Sequence, residues 1–378
     1  MKGFKGVNAF IDGKFINVDI AIKDDVIVEI GNGLDIDDPF LSNGKVLPGF
    51  IDEHIHGAGG FDVMDGDMPS LETIAATLPK EGTAAFLATT MTHSVEHIKN
   101  ALTNVRNYVK ENRDGATVLG VHLEGPFINI DKKGAQPGEY IATLDIARLK
   151  EYIDCSGDLI KLITVAPEVD GALDFIKYAK DNGLTVSAGH TSATYKQLKD
   201  GIKAGITSIT HTYNAMTGIH HREVGVAGGS MLEDVYNEII IDGKHASFDA
   251  IKLLATLKAD KLVLITDAMR AKGMPDGDYE LGGQPVKVLD GEARLLDGTL
   301  AGSVLKMNDA VKNAVTKVGL PFELVIKAVT ENPAKNIGVF DKYGSIEVGK
   351  KANFTILDDD YGVVATIVDG KLVYSKVC

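Results

Sequence analysis

Two histidines one residue apart, His54 and His56, open a series of polar and ionisable residues that recurs at wide intervals along this 378-residue chain and continues with Glu124, His190, His211 and Asp267. Neutral imidazoles and carboxylates suit Zn, Fe, Mn or Co, and a site built from three or four of them keeps a position open for water. Alternate side chains of an extended strand share a face, so His54 and His56 can aim at one ion. Six candidates exceed what one ion needs. Two ions with Glu124 between them fit the set, as does one ion with the other groups serving substrate and proton transfer. A single His or Glu at a strand end is ordinarily a surface or hydrogen-bonded residue, so the metal reading rests on the joint pattern.

A repeating strand-helix frame must position these groups. Short apolar runs at 46–51, 83–89, 117–123, 160–165, 184–188, 208–211, 238–241 and 261–266 alternate with helix-like stretches such as 70–81, 94–111, 143–152, 172–182, 192–204 and 248–257. Ser or Thr opens several of the latter, as expected of helix caps. Near-continuous apolar strands imply a parallel sheet buried on both faces, and eight units close into an α/β fold, a TIM-like (β/α)8 barrel. Neither GxGxxG nor GxxxxGK[ST] is present, which argues against a doubly wound nucleotide-binding sheet. His54 and His56 follow the first run, Glu124 the third, His190 the fifth, His211 the sixth and Asp267 the eighth. In a parallel barrel these ends share one face, where enzymes of this architecture keep their active sites. Residues 277–299 read as an inserted β-hairpin, and 305–316 and 322–330 as the closing helices. Strand-like runs at 6–10, 14–17, 18–23 and 26–30, with others at 352–357, 363–368 and 371–374, predict a small β-sandwich built from both termini. The expected division is 1–47 and 338–378 for that module, with 48–337 for the barrel.

The excess of 53 acidic over 39 basic residues, a net charge of −14, argues against a nucleic-acid partner. No run approaches the roughly 20 apolar residues of a membrane span, so no membrane partner is expected. Two cysteines, Cys155 and Cys378, cannot build a disulfide framework, and the N-terminus lacks the apolar stretch of a signal peptide. A cytoplasmic location follows as an expectation, with Cys155 a structural thiol and Cys378 a terminal one. His93 and His97, four apart, read as a solvated helix start, His220 and His221 as loop residues, and Tyr213 as either core or ligand contact. Glu53 should point away from His54 on a regular strand.

Residues 48–57, PGFIDEHIHG, resemble the opening signature of the amidohydrolase superfamily. HLEGPF at 122–127, APE at 166–168, AGHT at 188–191, THTYNAM at 210–216, DGKH at 242–245, TDA at 266–268, AGS at 301–303 and NPA at 332–334 narrow the resemblance to its N-acetylglucosamine-6-phosphate deacetylase family. The resemblance implies hydrolysis of an amino-sugar phosphate's acetamide, in amino-sugar catabolism and cell-wall sugar recycling; the galactosamine epimer is the alternative substrate, and a non-catalytic scaffold the alternative class. It implies that Glu124, His190 and His211 hold the principal divalent metal, with His54 and His56 present as in members that carry two. Asp267 would be the general base and then the general acid. Asn214, Ala215, Arg222 and His245 would meet sugar and phosphate, His245 reaching the neighbouring subunit's phosphate in a homodimer. Gln136 stands where some members use histidine on the acetamide carbonyl. Ala301, Gly302 and Ser303 are expected at the substrate, and the glycine-rich 224–229 is expected to let backbone approach it. A carboxylate at 124 weighs against urease-like or dihydroorotase-like chemistry.

Overall fold

The computed structural model describes residues 1–40, 43–111 and 113–376, so Cys378 lies outside the described residues. Eight parallel strands follow one another round a barrel in chain order: Phe50–Ile55, Thr83–Thr89, Thr117–Glu124, Ile160–Val165, Thr185–Ala188, Ile206–Ile209, Tyr236–Ile240 and Leu262–Ile265. Single contacts close the first strand against the eighth. Asp267 N–H donates to the His54 carbonyl at 2.8 Å and His56 N–H to that of Ala268 at 2.9 Å. Below them the Asp52 carboxylate accepts from Thr266 Oγ1 at 2.5 Å and from Thr266 N–H at 3.3 Å.

The helices cover the barrel with apolar stripes at helical spacing. Ile98, Leu102 and Val105 of Val95–Val109 and Phe175 and Ile176 of Ala172–Asp181 are buried in one core cluster with strand residues Val121, Ile163 and Val186. Each such fully buried aliphatic side chain contributes about 1.5–3 kcal/mol of transfer free energy. Ser94 and Asp145 cap their helices, and Thr194 forms a reciprocal box with Gln197 at the start of Tyr195–Ala204. A cap of this kind contributes about 1 kcal/mol.

The strands of the two termini form a second, largely antiparallel sheet. The parallel pairing of Lys2–Ile11 with Lys45–Pro48, and the antiparallel pairing of Lys45–Pro48 with Phe354–Leu357, join its two halves. Phe4 meets Phe354 from two strands away with ring centroids 5.0 Å apart. Flat neighbours would stand about 9–10 Å apart at that separation, so the sheet curls round a common apolar filling.

Three local expectations change. The first run, 46–51, is two strands, because the chain leaves one sheet at Pro48 and enters the other at Phe50. Apolar pattern alone does not register that change of partner, and as a result His54 lies inside the first barrel strand. Residues 14–23 form one strand, not two. The insertion at 277–299 is three antiparallel strands, Gly277–Leu281, Gln284–Leu289 and Glu292–Leu295, packed on Met91 and Met269.

Candidate metal centre and substrate cavity

The ends of the third, fifth and sixth barrel strands bring Glu124, His190 and His211 together. Glu124 Oε1 lies 3.1 Å from Nε2 of each histidine, and the two Nε2 atoms are 3.0 Å apart. Two imidazole nitrogens and a carboxylate oxygen this close satisfy a cation better than they satisfy one another. With bonds of about 2.0–2.1 Å, a tetrahedral ion sets its ligand atoms about 3.3 Å apart, close to this triangle. His190 Nδ1–H donates to the Lys132 carbonyl at 2.8 Å, which leaves the Nε2 lone pair facing the triangle.

His54, His56 and Asp267 form an adjoining group on the other side of Glu124. Asp267 Oδ1 is 3.5 Å from His54 Nε2 and 3.3 Å from His56 Nε2. Glu124 Oε2 is 3.2 Å from His56 Nε2, while Oε1 is 3.5 Å from His54 Nε2, so the carboxylate lies between the two groups. Among the described residues, His54 Nε2 and His211 Nδ1 are buried without a hydrogen-bond partner. The donor set therefore fits one divalent ion at Glu124, His190 and His211, and has the ligands for a second beside it.

Strand ends aim these groups by adopting unusual backbone. His190, His211, Ala215 and Asp267 all have positive φ, at 46°, 29°, 49° and 47°. Such conformations cost about 1–3 kcal/mol each and persist where the surroundings over-determine them. Gly189, before His190, permits one such close approach, because a Cβ there would stand 2.6 Å from Thr210 Cβ. Ser303 secures Asp267: its N–H donates to the Asp267 carbonyl at 2.7 Å and its Oγ–H to that of Thr266 at 2.5 Å.

Charge follows the same geometry. Burial works to raise the Glu124 carboxyl, yet the imidazoles of His54, His190 and His211 hold it well below the usual carboxylate range. Burial opposes the charged form of His56, but the carboxylates of Asp267 and Glu124 push it up to about 9. Burial likewise raises Asp267, and His54 and His56 overcome it, keeping the aspartate ionised.

Above the ligands a cavity of about 440 Å³ is lined by His56, Glu124, His190, His211, Asp267, Gln136, Asn214, Ala215, His245 and Gly302. Gln136 Nε2–H donates to Glu124 Oε2 at 2.7 Å and its Oε1 accepts from Thr92 N–H at 2.7 Å. One amide proton of Gln136 remains for a ligand. His245 lines the cavity of its own chain. Its Nδ1 lies 2.7 Å from Asp242 Oδ2; burial disfavours the imidazolium, but Asp242 raises its pKa above the ordinary histidine value.

Several expected contacts fall outside the cavity. Arg222 is exposed, its guanidinium 2.6 Å from His221 Nε2, on a loop with His220. Ala301 packs in the core of the inserted strands, and Ser303 acts beneath Asp267. The glycine-rich segment is a helix, Gly225–Leu232, and its glycines serve close packing: a Cβ on Gly229 would stand 2.7 Å from Tyr195 Cδ2. Tyr213 hydrogen-bonds the Ala250 carbonyl at 2.7 Å and packs on the core. His93 and His97 join none of the three-residue metal-capable groups among the described residues, and Cys155 is a half-buried free thiol.

One functional neighbour escaped the sequence reading, and the orientation of another residue differs from it. Glu238, in the seventh strand, accepts from the His54 ring and from His211 N–H. Its signal was a lone carboxylate opening the apolar run 238–241. Glu53 does not point away from His54 as a regular strand would require. Four residues, Asp52 to Ile55, lie opposite three, Phe86 to Ala88, and at this bulge both Glu53 and His54 approach Glu238. Glu53 does not line the cavity; its Oε1 accepts from Asn336 Nδ2–H at 2.6 Å below the site.

A family model described as the amidohydrolase family matches residues 45–373. The chain is 43% identical over 334 residues to the N-acetylglucosamine-6-phosphate deacetylase of Bacillus subtilis (strain 168), covering 87% of this chain and 84% of that protein. It is 37% identical over 328 residues to the N-acetylgalactosamine-6-phosphate deacetylase of Escherichia coli O157:H7, covering 86% and 87%. A mutant N-acetyl-D-glucosamine-6-phosphate deacetylase from Mycobacterium smegmatis, solved in complex with N-acetyl-D-glucosamine 6-phosphate, superposes with a TM-score of 0.92 at 29% identity, over 99% of each chain.

Proposed function

The chain belongs to the amidohydrolase family, and from that premise we infer that it hydrolyses the acetamide of N-acetylglucosamine 6-phosphate to glucosamine 6-phosphate and acetate. The observation that carries this reading is the convergence of Glu124, His190, His211 and Asp267 at the floor of a cavity whose wall includes Asn214, Ala215 and His245. The enzyme is metal-dependent, with Glu124, His190 and His211 proposed to hold the principal ion and His54 and His56 a second. When bound, a divalent ion there supplies Lewis acidity toward water and the acetamide carbonyl.

The chain's own groups do the rest. Asp267, ionised beside His56, takes a proton from the attacking water and returns it to the nitrogen, because an amine leaves only once protonated. Gln136 holds Glu124 in orientation and offers its remaining amide proton to the carbonyl. Gly302 and the backbone of Asn214 and Ala215 contact the sugar phosphate. His245, held toward its cationic form by Asp242, complements the phosphate. We further propose a cytoplasmic homodimer. In that dimer His245 would reach the phosphate in the neighbouring subunit, and the exposed Arg222 is a second cation free of its own chain's cavity. No helix among the described residues is long and apolar enough to cross a membrane.

Acetate release from N-acetylglucosamine 6-phosphate, its galactosamine epimer and unphosphorylated N-acetylglucosamine tests the reading. The expected order places the glucosamine phosphate first. The relative active on the galactosamine epimer makes that sugar the competing substrate, and a higher kcat/KM on it would replace the assignment.

His245 adds a pH dependence. Its raised pKa means that the cation is fully formed below the ordinary histidine value of about 6.5 and is lost as pH rises through the higher folded value. The KM for the phosphorylated sugar is expected to climb across that window. Asp242→Asn should move the climb to lower pH; a pH profile of KM unaltered by that substitution rules out the phosphate role of His245.

A further inference from the structure

Beneath the two ligand groups lies a carboxylate that neither of them uses directly. We propose that Glu238 is a positioning residue: it turns the His54 imidazole into a ligand and sets the backbone of His211, so that ion binding at His54 and His56 depends on it. The inference rests on the two-ion reading given above.

Glu238 is fully buried between Asn237 and Ile239 of the strand Tyr236–Ile240. A carboxylate there costs several kcal/mol in desolvation; its Oε1 is buried without a hydrogen-bond partner among the described residues, so Oε2 carries the side chain's hydrogen bonds. Its Oε2 lies 3.0 Å from His54 Nδ1 and accepts from His211 N–H at 3.1 Å, while its backbone carbonyl accepts from Thr212 N–H at 2.8 Å. With Nδ1 donating to this carboxylate oxygen, the Nε2 lone pair is left pointing outward. That Nε2 stands 3.5 Å from both Glu124 Oε1 and Asp267 Oδ1 and is buried without a hydrogen-bond partner. It is therefore oriented for a ligand and not spent on the protein. The bond from His211 N–H to Oε2 also helps hold His211 at its positive φ of 29°, whereas the Thr212 bond is main chain to main chain and survives substitution at 238. One carboxylate oxygen thus meets the ring at one ion position and the backbone N–H at the other.

The test is zinc binding by the full chain. Stripped protein is titrated with zinc and assayed by elemental analysis, with the cobalt form providing an absorption spectrum, for wild type, Glu238→Gln, Glu238→Ala and His54→Gln. Wild type should take up two zinc ions per chain. Glu238→Ala and His54→Gln should take up one, retained at Glu124, His190 and His211. Glu238→Gln, whose amide oxygen still accepts from His54 Nδ1, should recover the second ion with affinity about 10–100-fold below wild type. A carboxylate with only a structural role would lower the melting temperature of Glu238→Ala and leave stoichiometry at two. Two ions at wild-type affinity in Glu238→Ala overturn the proposal, as does a wild type that takes up one ion like His54→Gln. Should Glu238→Ala fail to fold, undiminished affinity for the second ion in Glu238→Gln overturns it equally. Acetate release is a separate readout: the expected zinc pattern without hydrolysis of N-acetylglucosamine 6-phosphate would sink the substrate assignment and leave the role of Glu238 standing.

Discussion

Asp267→Asn is expected to lower kcat by about 10⁴-fold, the upper end for a positioned acid–base group, because one side chain serves both proton transfers. Asparagine keeps the size of aspartate and can still accept one hydrogen bond, but it cannot take up a proton at neutral pH. Asp267 sits 3.3 Å from His56 Nε2 at the edge of the cavity, its main chain fixed by His54 and Ser303. Those backbone bonds survive the substitution, so KM and ion content at Glu124, His190 and His211 should change little. The measurements are kcat by acetate release, substrate affinity by calorimetry and ion content by elemental analysis. Turnover within tenfold of wild type, with ions retained, would remove Asp267 from the proton pathway.

Removing Glu124 should have the second large effect, of a different kind. Its Oε1 meets His190 and His211, and its Oε2 meets His56 and Gln136. Glu124→Gln replaces an anion by a neutral amide whose NH₂ must face imidazole nitrogens or the Gln136 amide. The principal ion should be lost, and with it several kcal/mol of transition-state stabilisation, about 10³–10⁴-fold in kcat/KM. Added zinc should not restore the rate at concentrations that saturate wild type. A variant that keeps its full ion content would show that Glu124 is not the ligand joining the two groups.

Much of the site is legible in the chain because Glu124, His190, His211 and Asp267 each interrupt an apolar run where a parallel strand must end. A barrel folds such ends onto one face, so scattered positions in sequence become neighbours. Glu238 was hidden for the opposite reason. It opens the run 238–241 where the other site residues close theirs, and pattern assigns such a residue to the fold without saying that its carboxylate serves two histidines. Arg222 enters as a phosphate ligand through the resemblance, and in a single chain it lies on an exposed loop away from the cavity lining; sequence does not register which chain's cavity such a loop serves. Likewise 46–51 reads as one strand, since pairing with two different sheets leaves the same apolar signature.

The bulge between Asp52 and Ile55 reaches furthest. A strand of regular pleat can present Glu53 or His54 to the interior, not both. The irregularity has a counterpart one step earlier, where Thr83 to Ala85 advances two residues against the single step from Phe50 to Ile51. From Phe50 opposite Thr83 to Ile55 opposite Ala88 both strands therefore advance five residues, and the ladder is back in register at its end. The kink stays local: it brings Glu53 and His54 to one buried carboxylate without moving the strand end that carries His56, and loss of one residue here would shift that end against its neighbour.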